Sequence, residues 1–324
     1  EEGDMEIASR MTREHKVASI PVSAFYQIKT DNRILRFCFD KSEETLLGGA
    51  EIVRRRCGYL VETCRMKIEL GSTLGQSDTH WEKIDDNLEM LSNKIYGIQE
   101  EMDILLLPEL FTTGFTMTGV NLGESMDGKT IRWMRDWASK KDCLVAGSVL
   151  IEEKGKLYNR FVAAFPSGEL KHSDKRHLFS FAGEDEVFEQ GTERLVFEFR
   201  GFRICPQICY DLRFPVWSRN TENFDLLLYV ANWPDARMAA WDILLKARAI
   251  ENMCYVAAVN RVGTDKNKLN YVGHSTVVDP MGENVLNFSE GEEGIDSITI
   301  NRTHIEKVRR TYRFLDDRDS FVIQ

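Results

Sequence analysis

The sequence predicts an α/β layered sandwich. From Met66 onward, short apolar runs bounded by Gly, Pro or charged residues alternate with amphipathic stretches, the pattern of strands and helices packed in layers. At 324 residues the chain is long for one average domain and short for three, which fits one large domain plus an appendage. A hydrophobic share of 43% with 10% aromatics suffices for a sizeable core and excludes a wholly disordered chain.

A change of texture near residue 60 divides the chain, giving expected domains at 1–65 and 66–324. Before it, residues 4–16 are charged and helix-favouring, Ala18–Tyr26 and Ile34–Phe39 are β-rich, and Glu43–Arg56 is helix-like. After it, Trp81–Gln99 carries Ile84, Leu88, Leu91 and Ile95 at helical spacing. The apolar run Asp103–Leu107, ending in Pro108-Glu109, suits a buried strand. A helix is expected over Thr130–Lys141, followed by a strand at Cys143–Ile151. Further strands are expected at Tyr158–Phe165, Leu195–Phe199, Phe202–Ile208, Leu226–Ala231, Cys254–Val259, Ser275–Asp279 and Gly294–Ile300, with a helix at Ala236–Asn252.

With 42 basic against 52 acidic residues, the net charge of −10 gives no general attraction to nucleic acid or to anionic membranes. No apolar run approaches the length of a membrane span. The opening EEGDMEIASRM lacks the basic and apolar regions of a secretory signal, and the seven cysteines are odd in number and scattered. Together these features favour a reduced, cytoplasmic enzyme. The metal, phosphate-loop and dinucleotide spacings are missing, and His172 and His177 have no third ligand nearby in sequence, so neither a metal nor a cofactor is expected.

The most informative segment is FRICPQICYDLRFPVWSRN at Phe202–Asn220. Cys209 closes an apolar run just before the polar Tyr210-Asp211, at the strand end where α/β sheets expose reactive groups. The next residue can offer its N–H to an oxyanion. On spacing alone Cys209 is either such a nucleophile or a small buried hydrophobe; Cys205, in mid-strand, takes the second reading. A thiol nucleophile needs a base and a cation. Glu109 after Leu107-Pro108 and Lys175 after Glu169–Ser173 sit at comparable strand ends, and an acid ending a fully apolar strand is unusual.

LLLPELF around Glu109, KRHLF around Lys175 and ICYDLRFP around Cys209 together resemble the nitrilase, or carbon–nitrogen hydrolase, superfamily, from about Met66 to the end of the chain. Asn232–Pro234, Gly273–Gly282 and Arg309–Asp319 extend the likeness, and AGEDEVFEQG with YVANWPDAR is similar to its omega-amidase branch. Only KIELGSTL at Lys67–Leu74 departs from the pattern, being more polar than the family's usual first strand. The resemblance implies an α-β-β-α sandwich whose subunits pair into homodimers or larger homo-oligomers, with a Glu109–Lys175–Cys209 triad. It further implies Glu184 as a fourth acid orienting Lys175, with Phe115, Tyr210, Trp233 and Arg237 around the substrate. The expected partner is a small amide: an omega-amidase releases ammonia from the terminal amide of 2-oxoglutaramate or 2-oxosuccinamate through a cysteine thioester. The alternatives are an aliphatic amidase, a nitrilase or an N-carbamoyl hydrolase, a papain-like pairing of Cys209 with His274, or a non-catalytic dimeric scaffold.

The N-terminal part resembles something else. VASIPVSAFY at Val17–Tyr26 and RILRFCFDKSEETL at Arg33–Leu46 are similar to the carboxyl end of a class I/II aminotransferase of the methionine/glutamine type, where the residue matching Arg36 binds a carboxylate. The stretch is too short to hold pyridoxal phosphate and reads as a small α+β remnant, with Cys57–Arg65 as a linker.

Overall fold

The computed structural model describes residues 68–322 without a break, and before them Glu6, Ser9, Arg13 and the segments Ser19–Pro21 and Leu35–Phe37. The chain divides into two units, Glu1–Arg65 and Met66–Gln324. In the first, Ser19–Pro21 pairs antiparallel with Leu35–Phe37, Ile20 opposite Arg36. The remainder of the aminotransferase-like stretches, and the helix expected at Glu43–Arg56, lie outside the described residues.

The second unit begins with β1 (Glu69–Gln76), α1 (Ile84–Tyr96), β2 (Ile104–Leu106), α2 (Lys129–Lys141), β3 (Leu144–Glu153), β4 (Lys156–Ala164) and β5 (Leu170–Asp174). Next come α3 (Glu184–Val187), β6 (Phe197–Phe199), β7 (Phe202–Ile208), α4 (Pro215–Ser218), β8 (Leu226–Val230), α5 (Met238–Asn252) and β9 (Tyr255–Val259). It ends with β10 (Val262–Thr264), β11 (Asn270–Val272), β12 (Thr276–Val278), β13 (Asn284–Asn287), β14 (Gly294–Asn301) and α6 (Arg302–Tyr312).

Two six-stranded sheets result, ordered β14-β1-β2-β3-β4-β5 and β13-β12-β9-β8-β7-β6. The centre of each is parallel, β1 to β3 in one and β7 to β9 in the other, with antiparallel strands outside. Side chains alternate between the faces of a strand, and that alternation assigns the layers. Ile104 and Leu106, Leu144 and Ala146, and Phe161 and Ala163 join the core shared with the second sheet. Their neighbours Leu105, Leu107, Val145 and Val162 instead pack with Leu91 and Ile95 of α1 and Met134 and Trp137 of α2. On the far side α5 lies against β9 and β12, burying Trp241, Leu245 and Ala249. The fold is an α-β-β-α sandwich.

The polar first strand finds its reason here. β1 lies inside its sheet between β14 and β2, and its buried Thr73 hydroxyl lies 2.8 Å from that of Ser297 on β14. Several elements went unpredicted. α6 buries only Ile305 and Val308 in a charged sequence, and β13 is largely exposed, so neither shows a clear apolar period.

Because Leu91 is 1% exposed in the helix–sheet layer, Leu91→Ala is expected to cost about 2–5 kcal/mol of unfolding free energy. The exposed Glu89 on the same helix should tolerate Ala within about 0.5 kcal/mol. Urea titrations of both variants check this, and similar losses would contradict the layer assignment.

Candidate active site

The ends of parallel strands from both sheets converge on one cluster. β2 passes through Leu107 and Pro108 to Glu109, which is fully buried. The next residue, Leu110, has φ +45° in the left-handed region, held there by its N–H donating to Ser148 Oγ at 2.8 Å. Lys175 follows β5, fixed from both sides: its N–H donates to Asn159 O, and its carbonyl accepts from Gly191 N–H. Only glycine fits at 191, since a Cβ there would lie 2.1 Å from Asp174 O.

Cys209 directly follows β7 and opens a 3₁₀ turn over Cys209–Arg213. Its φ of +43° is costly for a residue with a side chain, by roughly 1–2 kcal/mol. The turn turns the thiol out of the strand at the floor of a cavity of about 90 Å³. Such a turn leaves its first N–H groups without helical acceptors, so the Tyr210 N–H is suited to an oxyanion.

The charged groups meet behind the sulfur. Lys175 Nζ donates to Glu109 Oε1 at 2.8 Å and to Glu184 Oε1 and Oε2 at 2.9 and 2.8 Å, and all three side chains are buried. Burial by itself would favour a neutral lysine, but the two carboxylates outweigh it and hold the ammonium firmly charged. Burial raises the Glu184 pKa, against the pull of Lys175. Of the three consecutive acids at 184–186, only Glu184 is buried; Asp185 and Glu186 are exposed. Gly183, at φ +73°, makes the turn that brings it in, and Glu184 Oε2 accepts from Phe179 N–H at 2.6 Å.

Two asparagines complete the cluster. Asn159, near the start of the run YNRFVAAF, donates from Nδ2 to Glu109 Oε1 at 2.8 Å and to Glu184 Oε1 at 3.1 Å. Asn232 donates its backbone N–H to Glu109 Oε2 at 2.8 Å and its Nδ2 to the Glu109 carbonyl at 2.7 Å.

The sulfur itself is 3.8 Å from the Asn232 carbonyl. Burial first, then the Glu109 charge, pushes the Cys209 thiol well above its ordinary range, and Lys175 only partly offsets them. Lys175 therefore does not keep the free thiol ionised, because burial and the Glu109 charge together outweigh it. Cys205, wholly buried in mid-strand, is pushed up to about 12 by burial.

Phe115, Tyr210, Trp233 and Arg237 all line the cavity, with Lys175 and Cys209. Phe115 lies under Lys175, Nζ 5.2 Å from the ring centre. Trp233 is held by its Nε1, which donates to Arg237 O at 2.9 Å, and by its N–H, which donates to Asn260 Oδ1 at 2.8 Å. The Arg237 guanidinium lies 5.0 Å from the Phe179 ring. A second cation, Arg213, lies 4.9 Å from the Trp233 ring and also lines the cavity. Sequence reading passed over it, although it stands four residues after Cys209 within ICYDLRFP. Asp265 lines the wall too, its oxygens occupied by Leu269 N–H at 2.9 Å and Tyr271 O–H at 3.0 Å.

The papain-like pairing fails on geometry. His274 Nδ1 lies 3.1 Å from Asp242 Oδ1, and no imidazole is among the described residues lining the cavity.

Fold and site fit the class of enzymes that hydrolyse carbon–nitrogen bonds. Residues 72–310 match the carbon–nitrogen hydrolase family, and the chain belongs to it. It is 42% identical over 253 residues to the omega-amidase YafV of Yersinia enterocolitica, covering 78% of this chain and 97% of that protein. It is 35% identical over 247 residues to the 2-oxoglutaramate amidase of Bacillus subtilis, covering 75% and 95% respectively. Among solved structures, XC1258 from Xanthomonas campestris, a CN-hydrolase superfamily protein with an arsenic adduct in its active site, matches with a TM-score of 0.77 at 41% identity, covering 79% of this chain and 99% of that one.

The raised thiol pKa yields a test. Wild-type protein should show no thiolate ultraviolet absorbance at neutral pH beyond that of Cys209→Ala. Glu109→Gln removes the nearby negative charge, so it should lower the Cys209 pKa and raise the thiolate fraction while slowing turnover. A full thiolate signal in the wild type would contradict the electrostatic picture.

Proposed function

We propose that the chain is an omega-amidase, releasing ammonia from the terminal amide of small 2-oxo dicarboxylate monoamides such as 2-oxoglutaramate and 2-oxosuccinamate. One observation carries the choice within the family: a small cavity, walled by Phe115, Phe179, Trp233 and Tyr271, that presents two arginines as well as the buried Lys175 over one thiol. Arginine binds a carboxylate through two parallel hydrogen bonds, and an aromatic wall strengthens that contact by excluding water. The substrate in the name of the Bacillus subtilis relative, 2-oxoglutaramate, supports the same reading.

In this reading Glu109, Lys175 and Cys209 are the catalytic residues. Glu109 takes the Cys209 proton as the sulfur attacks the amide carbon, so the thiolate exists only in the presence of substrate. The oxyanion is held by Lys175 and the Tyr210 N–H. As the tetrahedral species collapses, the C–N bond breaks and Glu109 returns the proton to the departing ammonia, leaving a thioester. Glu109 then removes a proton from water, whose oxygen attacks the thioester carbon. Collapse expels the sulfur, which recovers its proton from Glu109, and the acid leaves. Glu184 and Asn159 touch no reacting atom; they hold Lys175 and Glu109 in place. One of the cavity's arginines, Arg213 or Arg237, receives the substrate carboxylate.

Ammonia release from a panel of amides, nitriles and N-carbamoyl compounds tests the reading, and a preference for neutral aliphatic amides would defeat it. Against 2-oxosuccinamate, loss of the carboxylate-binding arginine to Ala should raise KM by about 10- to 100-fold, the loss expected for a charge-assisted hydrogen bond. A neutral amide of similar length should be nearly unaffected. Equal effects on both substrates would remove that arginine from the carboxylate site.

A further inference from the structure

We infer that Asp211 and His177 form a latch that positions Cys209 against Lys175, an inference that rests on the catalytic roles proposed above. Lys175 and Cys209 are carried by different sheets: β5 is an edge strand of one, and β7 belongs to the other. Two residues beyond Lys175 and two beyond Cys209, the segments they lead into join through one buried carboxylate. Asp211 Oδ1 accepts from the His177 backbone N–H at 3.0 Å and from His177 Nδ1 at 2.8 Å. Asp211 Oδ2 accepts from Ile208 N–H, the residue before the nucleophile, at 3.0 Å.

The latch spans the strained residue. Cys209 keeps its left-handed φ inside a loop closed from Ile208 to Asp211, and such a conformation persists only where its surroundings fix it. The His177 ring is clamped in turn, stacked flat on Phe214 with centroids 3.6 Å apart and planes 5° apart, and with Trp217 edge-on at 6.0 Å. Asp211 is 2% exposed, and neither residue lines the cavity, so they act through the peptides they hold and are positioning residues. A buried acid bonded to the chain on both sides of a catalytic gap transmits any displacement of one side to the other.

Three variants test this in the full chain. His177→Phe keeps a flat ring on Phe214 but loses the Nδ1 bond, Asp211→Asn keeps one acceptor oxygen, and Asp211→Ala removes both. The measurements are kcat and KM for 2-oxosuccinamate, the rate of Cys209 alkylation by iodoacetamide, and thermal unfolding. His177→Phe should lower kcat by about tenfold or more with KM changed less than about twofold, and should change the alkylation rate in parallel. Asp211→Asn should fall between wild type and Asp211→Ala; if the Ala variant does not fold, His177→Phe decides. Folded His177→Phe and Asp211→Asn proteins with kcat and alkylation rates within about twofold of wild type overturn the latch. Cys209→Ala run alongside separates the two claims: if it stays active, the nucleophile assignment is wrong. If it is dead while both latch variants are fully active, only the latch is wrong.

Discussion

The site depends on one buried ammonium shared by two buried carboxylates. Removing a charged group from water costs several kcal/mol after relaxation, and an interior ion is tolerated only when paired and hydrogen-bonded. Lys175 meets that condition by donating to both Glu109 and Glu184, while Asn159 bridges the same two acids. Losing the lysine would leave two carboxylates facing each other without water. The requirement explains much of the local architecture: Gly191 admits the Lys175 strand end, Gly183 turns Glu184 inward, and Ser148 fixes the peptide after Glu109.

The same arithmetic sets the chemistry. Burial, and then the Glu109 charge, raise the Cys209 thiol by more than Lys175 lowers it, so the site favours a thiol over a thiolate–ammonium pair. In the proposed reaction a proton passes from Cys209 to Glu109 without changing the net charge of the interior, which keeps the cost of forming the nucleophile low. Arg213 and Arg237 line the same cavity, against the rings of Trp233 and Phe179.

How much was legible in the sequence follows from the same physics. Strands buried on both faces appear as apolar runs, so LLL before Pro108 and the run up to Ile208 marked their strands and the candidate residues at their ends. Glu109 stood out because an acid there has no solvent to face. Asn159 gave no such signal: beside Arg160 in YNRFVAAF it reads as part of a polar strand start until a second strand end is brought beside it. Glu184 was singled out only by the family resemblance, since Asp185 and Glu186 beside it could be confused with it; the turn at Gly183 shows why it is the one that points inward. Arg213 gave no signal of its own, because only the fold brings it against Trp233, twenty residues further on. α6 was hidden by its charges.

The central claim is that Cys209 attacks the amide from within this cluster and carries the acyl group. Acid quenching during turnover of 2-oxosuccinamate, followed by peptide mass spectrometry, tests it most directly. The account predicts an acyl adduct on the peptide bearing Cys209, absent in Cys209→Ala. Turnover without an adduct there, or an adduct on Cys205 instead, would contradict it.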